Sequence, residues 1–172
     1  WRRGWHPERF TKASQPGNVL VVGGGPAGLE AALIAAKQGF EVTIAEQTDD
    51  WGGRVLQESQ LPGMATWRRV RDYRVWALSQ MGNVSMYTNS ELDAEAALSL
   101  GADHIAVATG AHWTKRLYSS LEIPAALLDL PQILTPEDVF AGTVAADRVL
   151  IFDYDNYYLG GVIAEHLAEQ GK

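Results

Sequence analysis

The chain has 172 residues, enough for one good-sized domain or one and a fraction, and its 47% apolar content is ordinary for a globular fold. Fourteen basic against 21 acidic residues leave a net charge of −7, which argues against nucleic acid or an anionic membrane surface as the main partner, so any phosphate has to be held locally by backbone and dipole. The absence of cysteine excludes disulfides, thiolate metal sites and iron–sulfur ligands from the chain. No apolar run approaches the ~18 residues needed to cross a bilayer and no signal-peptide pattern opens the sequence, so the expected location is the cytoplasm.

In chain order, Trp1 to Glu8 has no helix or strand period, and residues 1–17 read as an arm that packs against something outside the chain. Val19 to Val22 is an apolar strand that enters Gly23-Gly24-Gly25-Pro26-Ala27-Gly28, a G-x-G-x-x-G turn, and leaves it as an alanine-rich helix stopped by Gly39. Gly23 permits the tight turn, Gly25 lets a pyrophosphate approach the backbone, and Gly28 lets the helix pack close to the strand, while the free N–H groups of the first helical turn, at Pro26-Ala27-Gly28, face the anion. Phe40 to Ala45 is a second strand ending at Glu46, 18 residues beyond Gly28. A carboxylate there accepts both ribose hydroxyls of an adenine nucleotide and repels a 2′-phosphate. A glycine turn alone is a weak signal; with this context ADP or an adenine dinucleotide is the expected ligand, and the alternative is a glycine turn without one.

After Trp51-Gly52-Gly53-Arg54 and the turn at Leu61-Pro62-Gly63, a helix is expected over 65–81 with Trp67, Val70, Ala77, Leu78 and Met81 on one side, stopped by Gly82-Asn83. Its arginines, Arg68, Arg69, Arg71 and Arg74, read as a solvated face with i,i+4 partners rather than a phosphate contact. Val84 to Thr88 is a short strand, in the main sheet or in a side layer; Asp93 to Leu100 is a short helix. His104 to Ala108 is a strand ending in Thr109-Gly110. A looser stretch runs to Ile133, and Thr135-Pro136 opens a helix to Gly142, with threonine as N-cap and proline at N1. Arg148 to Phe152 is expected as a strand and Leu159 to Gln170 as a helix. His6, His104, His112 and His166 lie at no metal-ligand spacing and read as surface or structural residues. The fold class is therefore α/β, a Rossmann-like three-layer fold around a parallel sheet, expected to be a fragment of a longer protein. Its domains are read as the arm 1–17, a nucleotide-binding domain 18–146, and 147–172 as the start of a second such unit.

The glycine turn, Glu46, the Gly52-Gly53 pair and the strand ending Ala108-Thr109-Gly110 together resemble the two-dinucleotide-binding-domain flavoproteins. More narrowly, Arg2-Arg3-Gly4-Trp5-His6-Pro7-Glu8, Arg71-Asp72-Tyr73-Arg74 and Ala108-Thr109-Gly110-Ala111-His112-Trp113 resemble the trimethylamine dehydrogenase family of NADH:flavin oxidoreductases, which takes in dimethylamine and histamine dehydrogenases, N-demethylases and, more distantly, 2,4-dienoyl-CoA reductase. The resemblance implies a parent enzyme whose N-terminal TIM barrel holds FMN and the substrate and whose cysteine cluster holds a [4Fe–4S] centre, with this chain beginning just after those cysteines. It implies ADP or FAD at the first site, with Gln47 beside the adenine, Gly53 and Arg54 along the phosphates, and Ala108, Thr109 and Gly110 closing the site at the next strand end. The alternative for those last three is a plain strand-to-loop turn. No residue here is expected to be catalytic, and the chain alone is expected to be inactive.

Laying Val149 to Asp153 on Val19 to Gly23 puts Asp153, Asp155 and Tyr158 where Gly23, Gly25 and Gly28 stand. Two carboxylates repel a pyrophosphate and a tyrosine blocks close helix packing, so NAD(P)H is not expected at the second unit. Within the family this favours amine dehydrogenases or demethylases, which pass electrons through the cluster to an electron-transfer flavoprotein. The alternatives are the FAD domain of an NAD(P)H-dependent 2,4-dienoyl-CoA reductase-like enzyme and a non-enzymatic nucleotide sensor.

Overall fold

A run of β-favouring apolar residues bounded by a glycine turn makes Asn18–Val22 the first strand, β1, and its last four residues are buried. The computed structural model describes residues 10–115, 130–153 and 156–172. Helix α1, Pro26–Gln38, follows, and Leu29, Ala32, Leu33 and Ala36 form its buried stripe at i, i+3, i+4 and i+7. Gly39, at φ 99°, ends it in the left-handed conformation and donates its N–H to the Ala35 and Ala36 carbonyls. Strand β2 is Glu41–Ala45. Helix α2, Arg54–Glu58, comes directly after the glycine pair. A 3-10 turn at Ala65–Trp67 leads into α3, Arg68–Ser79. Then come β3, Val84–Tyr87, helix α4, Ala94–Ser99, and β4, His104–Val107.

The four strands form one parallel sheet in the order β3-β2-β1-β4, so Val84–Tyr87 is in the main sheet. The residues of β1 alternate between two cores. Val19 and Val21 join Leu29, Ala32, Leu33, Val42, Ile44 and Leu78 beneath α1 and α3, while Leu20 and Val22 meet Ala97 of α4 on the other face. The result is three layers, α/β/α, with helices on both faces as parallel strands demand. Asn83 ties the lower end together: its side-chain amide donates to the carbonyls of Ala36 and Phe40, and its own carbonyl accepts from Val42 N–H.

The chain divides into two compact units. One takes the residues up to Leu56 together with Trp67–Gly110, which include the sheet; the other takes Gln57–Thr66 and the chain from Ala111 onward. In the second, Thr135 caps helix α5, Pro136–Phe140, through a capping box with Asp138, and α6 is Tyr158–Glu169 with Leu159, Ile163 and Leu167 buried at four-residue intervals.

Two expectations need correction. The expected strand at Arg148 to Phe152 is not one: Leu150 is 94% and Phe152 69% exposed, and no pairing partner is present among the described residues. An apolar, β-branched run becomes a strand only where another strand takes its backbone groups. The side of α3 is also different. Leu78 is buried, with Val75, Ala77 and Met81 against the core, but Val70 faces outward with Tyr73 and Trp76. The segment Trp1 to Glu8, much of the looser stretch before Ile133, and Asp155 lie outside the described residues.

Candidate functional site

The carboxyl ends of β1, β2 and β4 converge on one place. Strand order steps from β1 to β2 on one side and to β4 on the other, and a crevice opens where the direction reverses. Gly23 leaves β1 at φ 108°, donating its N–H to the Ala45 carbonyl at 2.8 Å, and a Cβ there would collide with the Ala108 carbonyl oxygen. A Cβ at Gly28 would collide with the Gly23 carbonyl oxygen and come within 3.3 Å of the Ala108 methyl. These three residues form one close-packed contact between α1, β1 and the end of β4, and neither glycine has room for a side chain. Gly25 is the opposite case, since a Cβ there would meet nothing within 4 Å. It is the N-cap of α1 with no side-chain cap, Pro26 is at N1, Ala27 is exposed, and no acidic residue stands in the first turn. The positive end of the helix dipole therefore opens on free space.

The second edge of the crevice is Trp51-Gly52-Gly53. Gly52, at φ 124°, donates its N–H to the Gly24 carbonyl at 2.8 Å, and a Cβ on Gly53 would lie 3.3 Å from Gly25 Cα. The Trp51 ring lies over Gly24, where an added Cβ would be 2.5 Å from ring atom Cε3. Arg71 holds this loop from α3: its Nε donates to the Trp51 carbonyl at 2.9 Å, and its side chain crosses Gly52. Arg74 bonds Glu30 of α1 at 2.6 Å, whereas Arg68 stands 4.0 Å from Asp72 in the expected i,i+4 manner. Two of the four arginines are thus tied into the fold rather than displayed on a solvated face.

Glu46 is buried, 7% exposed, at the end of β2. Its Oε2 accepts the Gly24 N–H at 2.6 Å; its Oε1 accepts the Thr48 N–H and the Thr48 hydroxyl, each at 2.9 Å. The structure brings Gly23, Gly25, Gly28, Glu46, Gly53 and Ala108 together. Thr109 follows at the crevice edge, its nitrogen 3.1 Å from where a Gly23 Cβ would be. Gln47 is exposed beside Glu46, Arg54 is half-buried at the start of α2, and Gly110 is exposed at φ 81° with open space around it. Gly24, Thr48, Trp51 and Arg71 belong to the same assembly and were not read as site residues; the signals available were the place of Gly24 inside the glycine turn, the aromatic residue before a glycine pair, and the Arg71-Asp72-Tyr73-Arg74 stretch.

Among the described residues no group of three or more His, Cys, Asp or Glu could hold a metal ion, and no helix is long and apolar enough to cross a membrane. His104 packs edge-on against Phe40 at 5.8 Å.

Residues 18–109, from the first strand to the end of the fourth, match the model of the FAD dependent oxidoreductases. The chain belongs to that family. FAD is thus the cofactor of the family whose pattern the crevice carries. Among similar proteins, dimethylamine dehydrogenase of Hyphomicrobium sp. (strain x) is 36% identical over 99% of the chain and 24% of its own length. Of solved structures, 6-hydroxypseudooxynicotine amine oxidase from Pseudomonas geniculata N1 has a TM-score of 0.84 and 44% identity over 98% of this chain and 26% of its own. Histamine dehydrogenase from Rhizobium sp. 4-9 gives 0.83 and 41% over the same shares. These relatives place the chain with flavoproteins of the trimethylamine dehydrogenase type, and it spans about a quarter of their length.

In the second unit, Asp153 is exposed; its Oδ1 accepts the Asn156 N–H at 3.0 Å, and its carboxyl group abuts Gly160, where a Cβ would be 2.7 Å from Oδ2. The Tyr158 hydroxyl donates to the buried Glu58 carboxylate at 3.0 Å. The turn before α6 thus carries a carboxylate and a tyrosine where the turn before α1 has glycine and an open helix end.

Proposed function

We propose that this chain is the adenine-nucleotide-binding segment of an amine dehydrogenase or N-demethylase of the trimethylamine dehydrogenase type. The carrying observation is the uncapped N-terminus of α1 opening at Gly25, with a buried carboxylate, Glu46, beside it. A pyrophosphate fits against Gly23, Gly25, Pro26, Ala27 and Gly28, where backbone N–H groups and the helix dipole supply the positive field an anion needs. Glu46 faces the ribose and Gln47 the adenine; Gly53, Arg54, Ala108, Thr109 and Gly110 line the remaining edges.

ADP and FAD present the same ADP half to these residues. When bound, FAD supplies two-electron chemistry, whereas ADP serves structure alone. The rest of the parent protein, with a TIM barrel, FMN and a [4Fe–4S] centre, would carry the amine substrate and pass electrons to an electron-transfer flavoprotein in the cytoplasm. The carboxylate of Asp153, which falls opposite Gly23 when the two turns are aligned in sequence, supports this reading over an NAD(P)H-dependent 2,4-dienoyl-CoA reductase-like enzyme, because a carboxylate in that turn repels a pyrophosphate.

The test is to denature the purified protein and identify the released nucleotide by absorbance and mass. ADP without flavin supports an amine dehydrogenase with a structural nucleotide. An FAD mass makes the first site redox-capable and moves the reading towards the reductase. A protein that releases no nucleotide and does not take up added ADP rules out the site.

A further inference from the structure

We propose that Thr48 sets how many ribose hydroxyls Glu46 can accept, and so acts as a specificity-determining, positioning residue beside the nucleotide; this rests on the adenine-nucleotide reading above. A carboxylate offers about four acceptor positions, two on each oxygen. In Glu46 three are taken: one on Oε2 by Gly24 N–H, and two on Oε1 by the Thr48 N–H and hydroxyl. One position is left, yet a ribose cis-diol donating both hydroxyls needs two.

The Thr48 hydroxyl has a second acceptor within reach, the Asp50 carbonyl oxygen at 3.0 Å. A hydroxyl carries one proton, so it can donate to Glu46 or to Asp50 but not to both at once. When it turns to Asp50, Glu46 keeps its bonds to Gly24 and to the Thr48 backbone and offers one open position on each oxygen. Thr48 is exposed, so nothing packed around it resists that rotation. The cost is the difference between a hydrogen bond to a carboxylate and one to a neutral carbonyl, and it falls on a ligand with both hydroxyls but not on one with a single hydroxyl.

Thr48→Val removes the hydroxyl and leaves the backbone N–H that orients Glu46. The test uses the whole protein freed of nucleotide and titrated with ADP and with 2′-deoxy-ADP by calorimetry. In the valine variant ADP should bind about fivefold more tightly while 2′-deoxy-ADP is unchanged, so discrimination between the two rises about fivefold. Thr48→Ser, which keeps the hydroxyl, should behave as the natural protein. An equal change for both nucleotides, no change, or weaker ADP binding overturns the proposal. If the natural protein takes up neither nucleotide, the adenine-nucleotide reading itself fails and the role of Thr48 falls with it.

Discussion

A methyl group at Gly28 would fall on the Gly23 carbonyl oxygen, a backbone atom that moves only if β1 or α1 moves. Gly28→Ala should therefore cost about 1–3 kcal/mol or more in denaturant unfolding and abolish nucleotide retention, whereas Gly25→Ala, built into open space at φ −70°, should fold normally. Arg71 makes a charge-assisted bond to the Trp51 carbonyl, so Arg71→Ala should cost about 1.5–3 kcal/mol and raise amide exchange at Gly52 and Gly53. That role was not legible in the sequence. Helical spacing finds Asp72 as a neighbour of Arg68, but it cannot find a loop 20 residues upstream. Asp138 is held below the ordinary aspartate range, first by the Thr135 backbone N–H, then by the Thr135 hydroxyl and the Lys115 charge, with desolvation opposing them. Because its folded value is the lower one, its contribution to stability is complete above that range and is lost as pH falls through the folded value. An NMR titration should show the Thr135 amide shifting at a pH below the ordinary aspartate midpoint, and Asp138→Asn should remove that shift.

The elements whose pattern is long and periodic were the readable ones. The stripe of α1 announces itself at 29, 32, 33 and 36, and Leu33→Ala, which empties a site 2% exposed, should cost about 2–5 kcal/mol by thermal or denaturant unfolding. The strands β1, β2 and β4, though short, were legible as apolar runs that each stop at a turn or a charged residue. So was the start of α5, where Thr135, Pro136 and Asp138 spell out a cap in four residues. Helix α2 was not: five residues give less than two turns, too short for a period to register. The run at Arg148 to Phe152 was misread for a different reason. Its composition suits a strand, but pairing is a tertiary fact, and apolar residues report burial only if something arrives to bury them. In the crevice, the glycines and Glu46 were legible through their steric and chemical roles, while Trp51 and Thr48 were not, because their part depends on where the loop folds back.

For the whole molecule, the sheet unit carries the match to the FAD dependent oxidoreductases, and the chain spans about a quarter of its relatives. The family was readable in the sequence because its glycine turn, acid and the end of β4, all within residues 18–110, are too many matched features to fall together by chance, and the fold brings them to one crevice. The exposed run at Val149, Leu150 and Phe152 bears on how the chain behaves in a tube. With Val149, Ile151 and Phe152 favouring the extended chain, no strand paired to the run among the described residues, and Leu150 and Phe152 facing outward, it is a template for self-association. Light scattering of this stretch of chain, prepared by itself, should rise with concentration and on warming, and Leu150→Lys should suppress the rise without changing the unfolding midpoint. Aggregation, rather than loss of the fold, would then set how long such a preparation survives.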